Sequence, residues 1–319
     1  MKEKWFELPI AIEKAIKDQK PVVALESTLI AQGLPFPKNV EVAMQMEEKV
    51  RESGAIPATI GFLDGICKIG MSREEIERLG NGKEEVIKVG EGEIPYAVGM
   101  GLNASTTVSG TAWIADKFDI KVFATGGIGG VHRGVNDTYD VSQDLNTMTK
   151  TQIIIVSSGA KSILDIPKTL ERLETNSILI MGYQTNDFPA FYSRMSGNRL
   201  NYRAENPQDV AMAYKAKTLL KSRQAILVAN PVPGKDEIPN EEIDTIISDA
   251  LEEALKKGIT GKEMTPFLLE NIAKRSNNKS MATNISLLLN NAKTAGEIAV
   301  SVPGVLNKSI NHRIGFQEE

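Results

Sequence analysis

The chain has 319 residues, 41% hydrophobic and 24% charged, the balance of a globular protein with a sizeable core. Its formal net charge is -4, which argues against nucleic-acid binding through a strong positive field and leaves room for a local basic pocket. The single cysteine, Cys67, excludes an intrachain disulfide and suits a reducing compartment. Residues 1–10 mix Lys, Glu and Trp instead of a signal-peptide apolar core, and no run is long and apolar enough to span a membrane. The expectation is a cytoplasmic enzyme or binding protein with no membrane and no nucleic-acid partner.

In chain order, short Val- and Ile-rich runs alternate with amphipathic stretches, the rhythm of an α/β protein. Strands are predicted at 22–25, 58–63, 86–89, 122–124, 153–156, 178–181 and 226–228. Several are apolar on both sides, as in a sheet covered on both faces. Helices are predicted between and after them. Residues 40–53 place Val42, Met44, Met46 and Val50 within a helical pattern. Residues 72–79 open with Ser72 and carry Glu75 three places on, a capping box. Residues 106–118 are apolar almost throughout and predict a buried helix. The stretches 240–257 and 262–274 are charged and amphipathic, and 281–298 is rich in Leu and Ala. Ile66 and Lys68-Ile69 flank Cys67 as strand-like residues, so the thiol is expected to be a small buried hydrophobe. Residues 35–37, 230–234 and 277–279 are short enough to be loops. The polar stretch 194–207 is a candidate lid or oligomer contact. Residues 303–319 break periodicity and are expected to be a poorly ordered tail on a domain spanning 1–302.

Four segments combine strand ends with small and polar residues, where open α/β sheets bind ligands. The first is Leu25-Glu26-Ser27-Thr28. A carboxylate leaving an apolar strand is partly desolvated, which raises its proton affinity and suits general acid/base work; Glu26 could equally cap a turn or pair with a lysine. The second runs from Ala124 to Gly134 and holds Thr125, five glycines, His132 and Arg133. Its backbone could approach an anion closely, or it could be a structural turn. It is neither a Walker loop nor a dinucleotide fingerprint. The third, 136–144, crowds Asp137, Asp140 and Asp144 with hydroxyl and amide groups, an oxygen-rich set suited to Mg²⁺ or Mn²⁺ or merely to solvent. With only His132 and His312 in the chain, no His/Cys cluster competes for zinc. The fourth, 156–165, runs from a strand through small residues to Lys161 ahead of an amphipathic helix. Lys161 could attack a carbonyl, clamp a phosphate, or be a surface charge.

Together these segments resemble the pseudouridine-5′-phosphate glycosidase family, which includes the indigoidine-synthase-A-like proteins. The matching stretches are ALESTLIAQGLPFPKN, TTV, FATGGIGGVHRG, TYDVSQDL, GAKSILD, GYQTNDFPAF, VANPVP, GKEMTPFLL and the helix carrying Asn284, in family order over nearly the whole chain. The resemblance implies a single three-layer α/β/α domain with a central mixed, largely parallel sheet, assembled as a homotrimer. It implies that Glu26 is the acid/base and that Lys161 forms an imine with C1′ of the opened sugar. It also implies that Asp140 ligates Mn²⁺, with Mg²⁺ or another divalent ion as the alternative. Lys88, Val108, Ser142, Gln143 and Asp144 are implied substrate contacts. Thr125 and His132 are implied contacts to phosphate or ribose, and Asn284 to uracil. The implied reaction is reversible cleavage of the C–C glycosidic bond of pseudouridine 5′-phosphate to uracil and ribose 5-phosphate. Such a bond has no leaving-group oxygen to protonate, so the two-carboxylate route of ordinary glycosidases does not apply directly. Two other readings keep parts of the same site: a sugar-phosphate lyase with a different leaving group, and a non-enzymatic binder of phosphorylated metabolites.

Overall fold

The computed structural model of the protein describes residues 5–259 and 264–306. Its strands are β1 (Phe6–Glu7), β2 (Val22–Leu25), β3 (Ile56–Leu63), β4 (Ile66–Ile69), β5 (Ile87–Val89), β6 (Ala104–Thr106), β7 (Val122–Ala124), β8 (Ile154–Ser157), β9 (Leu179–Tyr183), β10 (Arg203–Ala204) and β11 (Ile226–Ala229). They join in the order β1-β4-β3-β2-β7-β8-β11-β9-β10, with β6 on β3 and β5 on β6. Among the described residues only the β3–β4 and β3–β6 pairings are antiparallel. The sheet is therefore mixed and largely parallel, as expected. Strands β2, β7, β8 and β11 are buried at every residue, which explains why their sequences are apolar without alternation.

Helices cover both faces. The long helix Lys279–Leu306 packs on β2, β7 and β8, and the helix Val108–Lys117 packs on β2, β6 and β7. The two share strands but make no substantial contact with each other, so they lie on opposite sides of the sheet. The first layer also holds the helices Lys38–Glu52 and Pro207–Leu219, both against Lys279–Leu306. Ser72 and Glu75 form the expected reciprocal cap: Ser72 Oγ accepts from the Glu75 N–H at 3.3 Å, and the Ser72 N–H donates to Glu75 Oε2 at 2.8 Å. Cys67 is fully buried on β4, where burial pushes its thiol pKa up.

Several boundaries move. The stretch 106–118 divides: Thr106 ends β6, Thr107 caps, and the helix begins at Val108. The last helix runs through Pro303 to Leu306, past the boundary drawn at 302; residues 307–319 of the expected tail lie outside the described residues. Of the helix expected at 262–274, residues 262 and 263 also lie outside them, and Met264–Arg275 is helical. The stretch 194–207 is folded back against the body rather than loose. The Ser196 N–H donates to Asp187 Oδ1 at 2.7 Å, Arg194 Nη1 donates to the Val232 carbonyl at 2.7 Å, and Arg203–Ala204 pairs with β9.

The topology places the site. After β2 the chain moves to β3 on one side, and after β7 it moves to β8 on the other. The neighbours β2 and β7 thus flank a switch point, where the loops at the strands' carboxyl ends part and leave a crevice. Glu26 follows β2, Thr125 follows β7, and residues 158–161 follow β8.

Candidate active site

Glu26 and Thr125 meet across the switch point, where the Thr125 hydroxyl donates a hydrogen bond to Glu26 Oε1. Burial pushes the Glu26 carboxyl above its ordinary pKa; the nearby charge of Lys161, the Thr125 hydrogen bond and the charge of Lys88 oppose the shift without cancelling it. The carboxyl thereby gains the proton affinity expected of a group that leaves an apolar strand.

Thr125 is fixed from beneath by a buried amide. Asn291, fully buried on the helix Lys279–Leu306, donates to the Thr125 carbonyl at 2.9 Å and to Ser158 Oγ at 3.1 Å, and accepts from Asn230 Nδ2 at 2.9 Å. One side chain therefore ties together the carboxyl ends of β7, β8 and β11. Replacing it with leucine leaves those partners unsatisfied, at roughly 1–3 kcal/mol for each buried group. Asn291→Leu is expected to lower unfolding free energy in urea by about 3 kcal/mol; a loss below about 1 kcal/mol would show that the network is not what holds these strand ends.

Four amides of the glycine run are engaged within the protein. The N–H groups of Ile128, Gly129, Val131 and His132 donate to the Gly159 carbonyl, Asp144 Oδ2, Thr169 Oγ1 and the Asp140 carbonyl at 3.0, 2.7, 2.9 and 3.0 Å. The segment lies between residues 158–165 on one side and 140–144 on the other. Its glycines serve close packing: a Cβ on Gly129 would stand 2.7 Å from Asp144 Oδ2, and one on Gly127 would stand 2.7 Å from the Phe191 ring. Asp144 is nearly buried, and both of its carboxylate oxygens hold backbone, Oδ1 accepting from the Ser109 N–H at 2.8 Å and Oδ2 from Gly129. It joins the glycine run to the first turn of the helix Val108–Lys117.

Two cavities open above these groups. The first, about 850 Å³, is lined by Lys88, Thr107, His132, Asp140, Ser142 and Lys161, together with Gln143 and Asp144. The second, about 540 Å³, is lined by Glu26, Gln32, Gly127, Phe191, Asn284 and Leu288. Lys88 and Lys161 line both. Of the residues singled out in the sequence, Val108 and Thr125 line neither cavity. Val108 is buried in the first turn of its helix, and Thr125 reaches the site through Glu26. Thr107, Glu93, Gln32 and Phe191 were not singled out. Thr107 had a signal, as a hydroxyl immediately before an apolar helix. Gln32 had none, because its amide is pinned by partners far along the chain, accepting from Ser105 Oγ at 2.6 Å and donating to the Val86 carbonyl at 3.1 Å.

The polar cavity has one carboxylate suited to a cation. Among the described residues no group of three or more His, Cys, Asp or Glu side chains converges on a metal position. Asp144 is committed to backbone N–H groups. Glu93 also has both oxygens engaged, by Gly90 N at 2.9 Å and Gln143 Nε2 at 3.1 Å. Asp140 remains, partly exposed, with Oδ2 3.9 Å from His132 Nδ1, a separation suited to a bridging water rather than a direct hydrogen bond. One carboxylate with open positions fits Mg²⁺ or Mn²⁺, which keep waters and take the rest of their shell from substrate oxygens. It does not fit zinc, which takes three or four protein ligands drawn largely from His and Cys. Burial lowers the pKa of His132; Lys161 and Lys88 act in the same direction and Asp140 against them. The imidazole is therefore neutral near pH 7 and offers one donor and one acceptor.

Fold and cavities together define an α/β enzyme acting on a small molecule at the carboxyl edge of its sheet. The chain belongs to the family described as indigoidine synthase A like protein, whose family model matches residues 11–301. It is 50% identical over 291 residues to a pseudouridine-5′-phosphate glycosidase of Fervidobacterium nodosum, covering 91% of this chain and 97% of that one. A relative of the same name from Clostridium botulinum is 44% identical over 97% of this chain and its own full length. Among solved structures, an indigoidine synthase A-like protein of Thermotoga maritima matches with a TM-score of 0.84 and 41% identity, covering 93% of this chain and 96% of that one. The prealnumycin C-glycosynthase AlnA, solved in complex with ribulose 5-phosphate, matches with a TM-score of 0.87 and 35% identity over 95% of this chain and 98% of its own. Among the described residues, no helix is long and apolar enough to cross a membrane.

Proposed function

We propose that the protein reversibly cleaves the C–C glycosidic bond of pseudouridine 5′-phosphate, giving uracil and ribose 5-phosphate, with Lys161 as covalent nucleophile. The observation that carries this reading is the position of Lys161 in the wall shared by two cavities, one polar and one largely apolar, with the Glu26 carboxyl close enough to feel its charge. A substrate with an anionic sugar at one end and a flat base at the other fits that division, with its scissile bond beside the lysine. The names of the relatives and the sugar phosphate bound by the C-glycosynthase point the same way.

The atoms balance with one water. Glu26 in its protonated form gives its proton to the ribose ring oxygen while the Lys161 amine bonds to C1′, and the ring opens. The C1′–C5 bond then breaks. Its electron pair stays on the uracil carbon, which takes a proton, and C1′ remains as an imine of Lys161. Water hydrolyses that imine and releases ribose 5-phosphate. Covalent attachment divides one hard step into easier ones, and burial of the Glu26 carboxyl favours its acid form. Lys88 and Thr107, with the Val108 backbone N–H at the first turn of the helix, would hold the phosphate; this remote contact positions C1′. Neutral His132 and Ser142 would hold sugar hydroxyls, and Asn284 would face the polar edge of the base. Asp140 would hold the divalent cation, which when bound supplies Lewis-acid stabilisation of negative charge on substrate oxygens.

The direct assay is uracil release from pseudouridine 5′-phosphate in the presence of Mn²⁺. Chelation with EDTA is expected to slow it roughly 100-fold, the several kcal/mol a Lewis acid supplies, with recovery on adding Mn²⁺. Asp140→Asn is expected to need much more Mn²⁺ for half-maximal rate. Full activity of the chelated enzyme would remove the metal from the scheme. No release by the folded, metal-supplied protein would overturn the substrate assignment and favour a related lyase with a different leaving group, the reading that the C-glycosynthase neighbour makes second best.

A further inference from the structure

Among the described residues β2 shares no ladder with β5 or β6; its neighbours are β3 and β7. Side chains of the segment that follows Glu26 make the link instead. Ser27 Oγ accepts from the Thr106 N–H at 2.9 Å, and the Thr28 hydroxyl donates to the Thr106 carbonyl at 2.7 Å. The chain then winds through one turn of π-helix, Leu29–Gly33, a rare form found often at functional sites. From that turn Gln32 accepts from Ser105 Oγ at 2.6 Å and donates to the Val86 carbonyl at 3.1 Å. A carbonyl can only accept, so the Gln32 amide has one orientation. Ser27, Ser105 and Thr106 are fully buried, where an unmade hydrogen bond is costly. The strands so stapled carry the groups proposed to hold the phosphate. Lys88 stands opposite Ser105 in the β5–β6 ladder, and Thr107 follows Thr106 and caps the helix Val108–Lys117. Lys88 lies near enough to Glu26 for its charge to act on the carboxyl.

We infer that Thr28 and Gln32 are positioning residues: they hold the segment that carries Glu26 against the strands that carry Lys88 and Thr107, so that proton donor and phosphate anchor sit in one frame. This rests on the proposed function and adds to it the residues that fix its acid. The Thr125 hydroxyl holds the Glu26 carboxyl from the β7 side, and the staple holds the backbone beyond it from the β6 side. Such a frame matters because a reacting group misplaced by about 1 Å can cost roughly 100-fold in rate.

The test is a double-mutant cycle read in uracil release from pseudouridine 5′-phosphate with Mn²⁺ present. Thr28→Val keeps the shape and loses the hydroxyl, and Gln32→Met keeps the length and loses the amide. Each is expected to lower kcat roughly 10- to 100-fold with KM within about threefold of native, because the phosphate anchor is untouched. Thr28→Ser, which keeps the hydroxyl, should restore most of kcat. In a Glu26→Gln background either substitution should cost less than about twofold more, since residues that act through one group are not additive. The full loss recurring in that background would overturn the inference, and so would a KM that rises as far as kcat falls, which marks a substrate contact. Should Gln32→Met fail to fold, the Thr28 pair decides. No release by the native protein, or full activity in Glu26→Gln alone, would instead count against the proposed function, so the two failures are distinguishable.

Discussion

Lys161→Ala is expected to reduce uracil release by roughly 10⁴-fold or more, because loss of a covalent nucleophile removes the route rather than one contact on it. The protein should remain folded. Lys161 is partly exposed and opens a turn, and its backbone bonds, the N–H to the Ile128 carbonyl at 3.0 Å and the carbonyl accepting from Leu164 at 3.0 Å, survive truncation of the side chain. Unfolding free energy should change by less than about 1 kcal/mol. Lys161→Arg should be as inactive as alanine, since a guanidinium keeps the charge but is not a nucleophile near neutral pH. Lys88 is the informative control, because it lines the same two cavities. Lys88→Ala is expected to raise the substrate KM while leaving the lysine chemistry in place. The reverse pattern, with Lys88 essential and Lys161 dispensable, would exchange the two roles.

Glu26→Gln is expected to move activity and stability in opposite directions. Uracil release should fall roughly 10²–10⁴-fold, the usual worth of general acid/base help. Stability at neutral pH should rise. In the folded state the Glu26 pKa lies above its ordinary 4.5, with burial the largest cause and the attraction of Lys161 already counted against it. A raised folded-state value means that the native protein binds the proton more tightly than the unfolded chain does. Stability from this group is then fully present below about 4.5 and is lost as pH rises through the folded-state value. Glutamine has no proton to lose, so the unfolding midpoints of the two proteins should coincide in acid and separate as pH rises, with the variant more stable. The glutamine oxygen can still accept from the Thr125 hydroxyl, so that contact is not the difference. A variant less stable than native at neutral pH would mean that the carboxylate is held as an ion and does not serve as the acid.

The sequence disclosed most where one residue type had one physical meaning. Apolar runs without alternation in β2, β7, β8 and β11 marked a sheet buried on both faces, and Ser72 with Glu75 marked a helix start. Strand ends rich in small and polar residues located Glu26, Thr125 and Lys161, because the carboxyl ends of parallel strands are where such residues are needed. The helix Pro207–Leu219 was less legible. Its buried residues include Lys215 and Lys217, which donate to the Val305 and Ser222 carbonyls at 2.7 Å each, so the apolar stripe that identifies a helix is broken. Burial pulls Lys217 down to about 8, a consequence no spacing rule discloses. The glycine run is ambiguous for a related reason. Its glycines fit an anion cradle and a tight packing seam equally well, and only the structure shows that at Gly127, Gly129 and Gly130 the neighbours Phe191, Asp144 and Thr169 fill the space a side chain would need. Gln32 and Phe191 reach the site through contacts distant in sequence, with no local pattern of their own.

The measurement that bears most directly on the mechanism is mass analysis of the protein after incubation with ribose 5-phosphate and reduction with borohydride. The account predicts one pentose-phosphate adduct per chain, located by peptide mapping on Lys161 and absent from Lys161→Ala. An adduct on Lys88, or no adduct from a preparation that releases uracil, would contradict it.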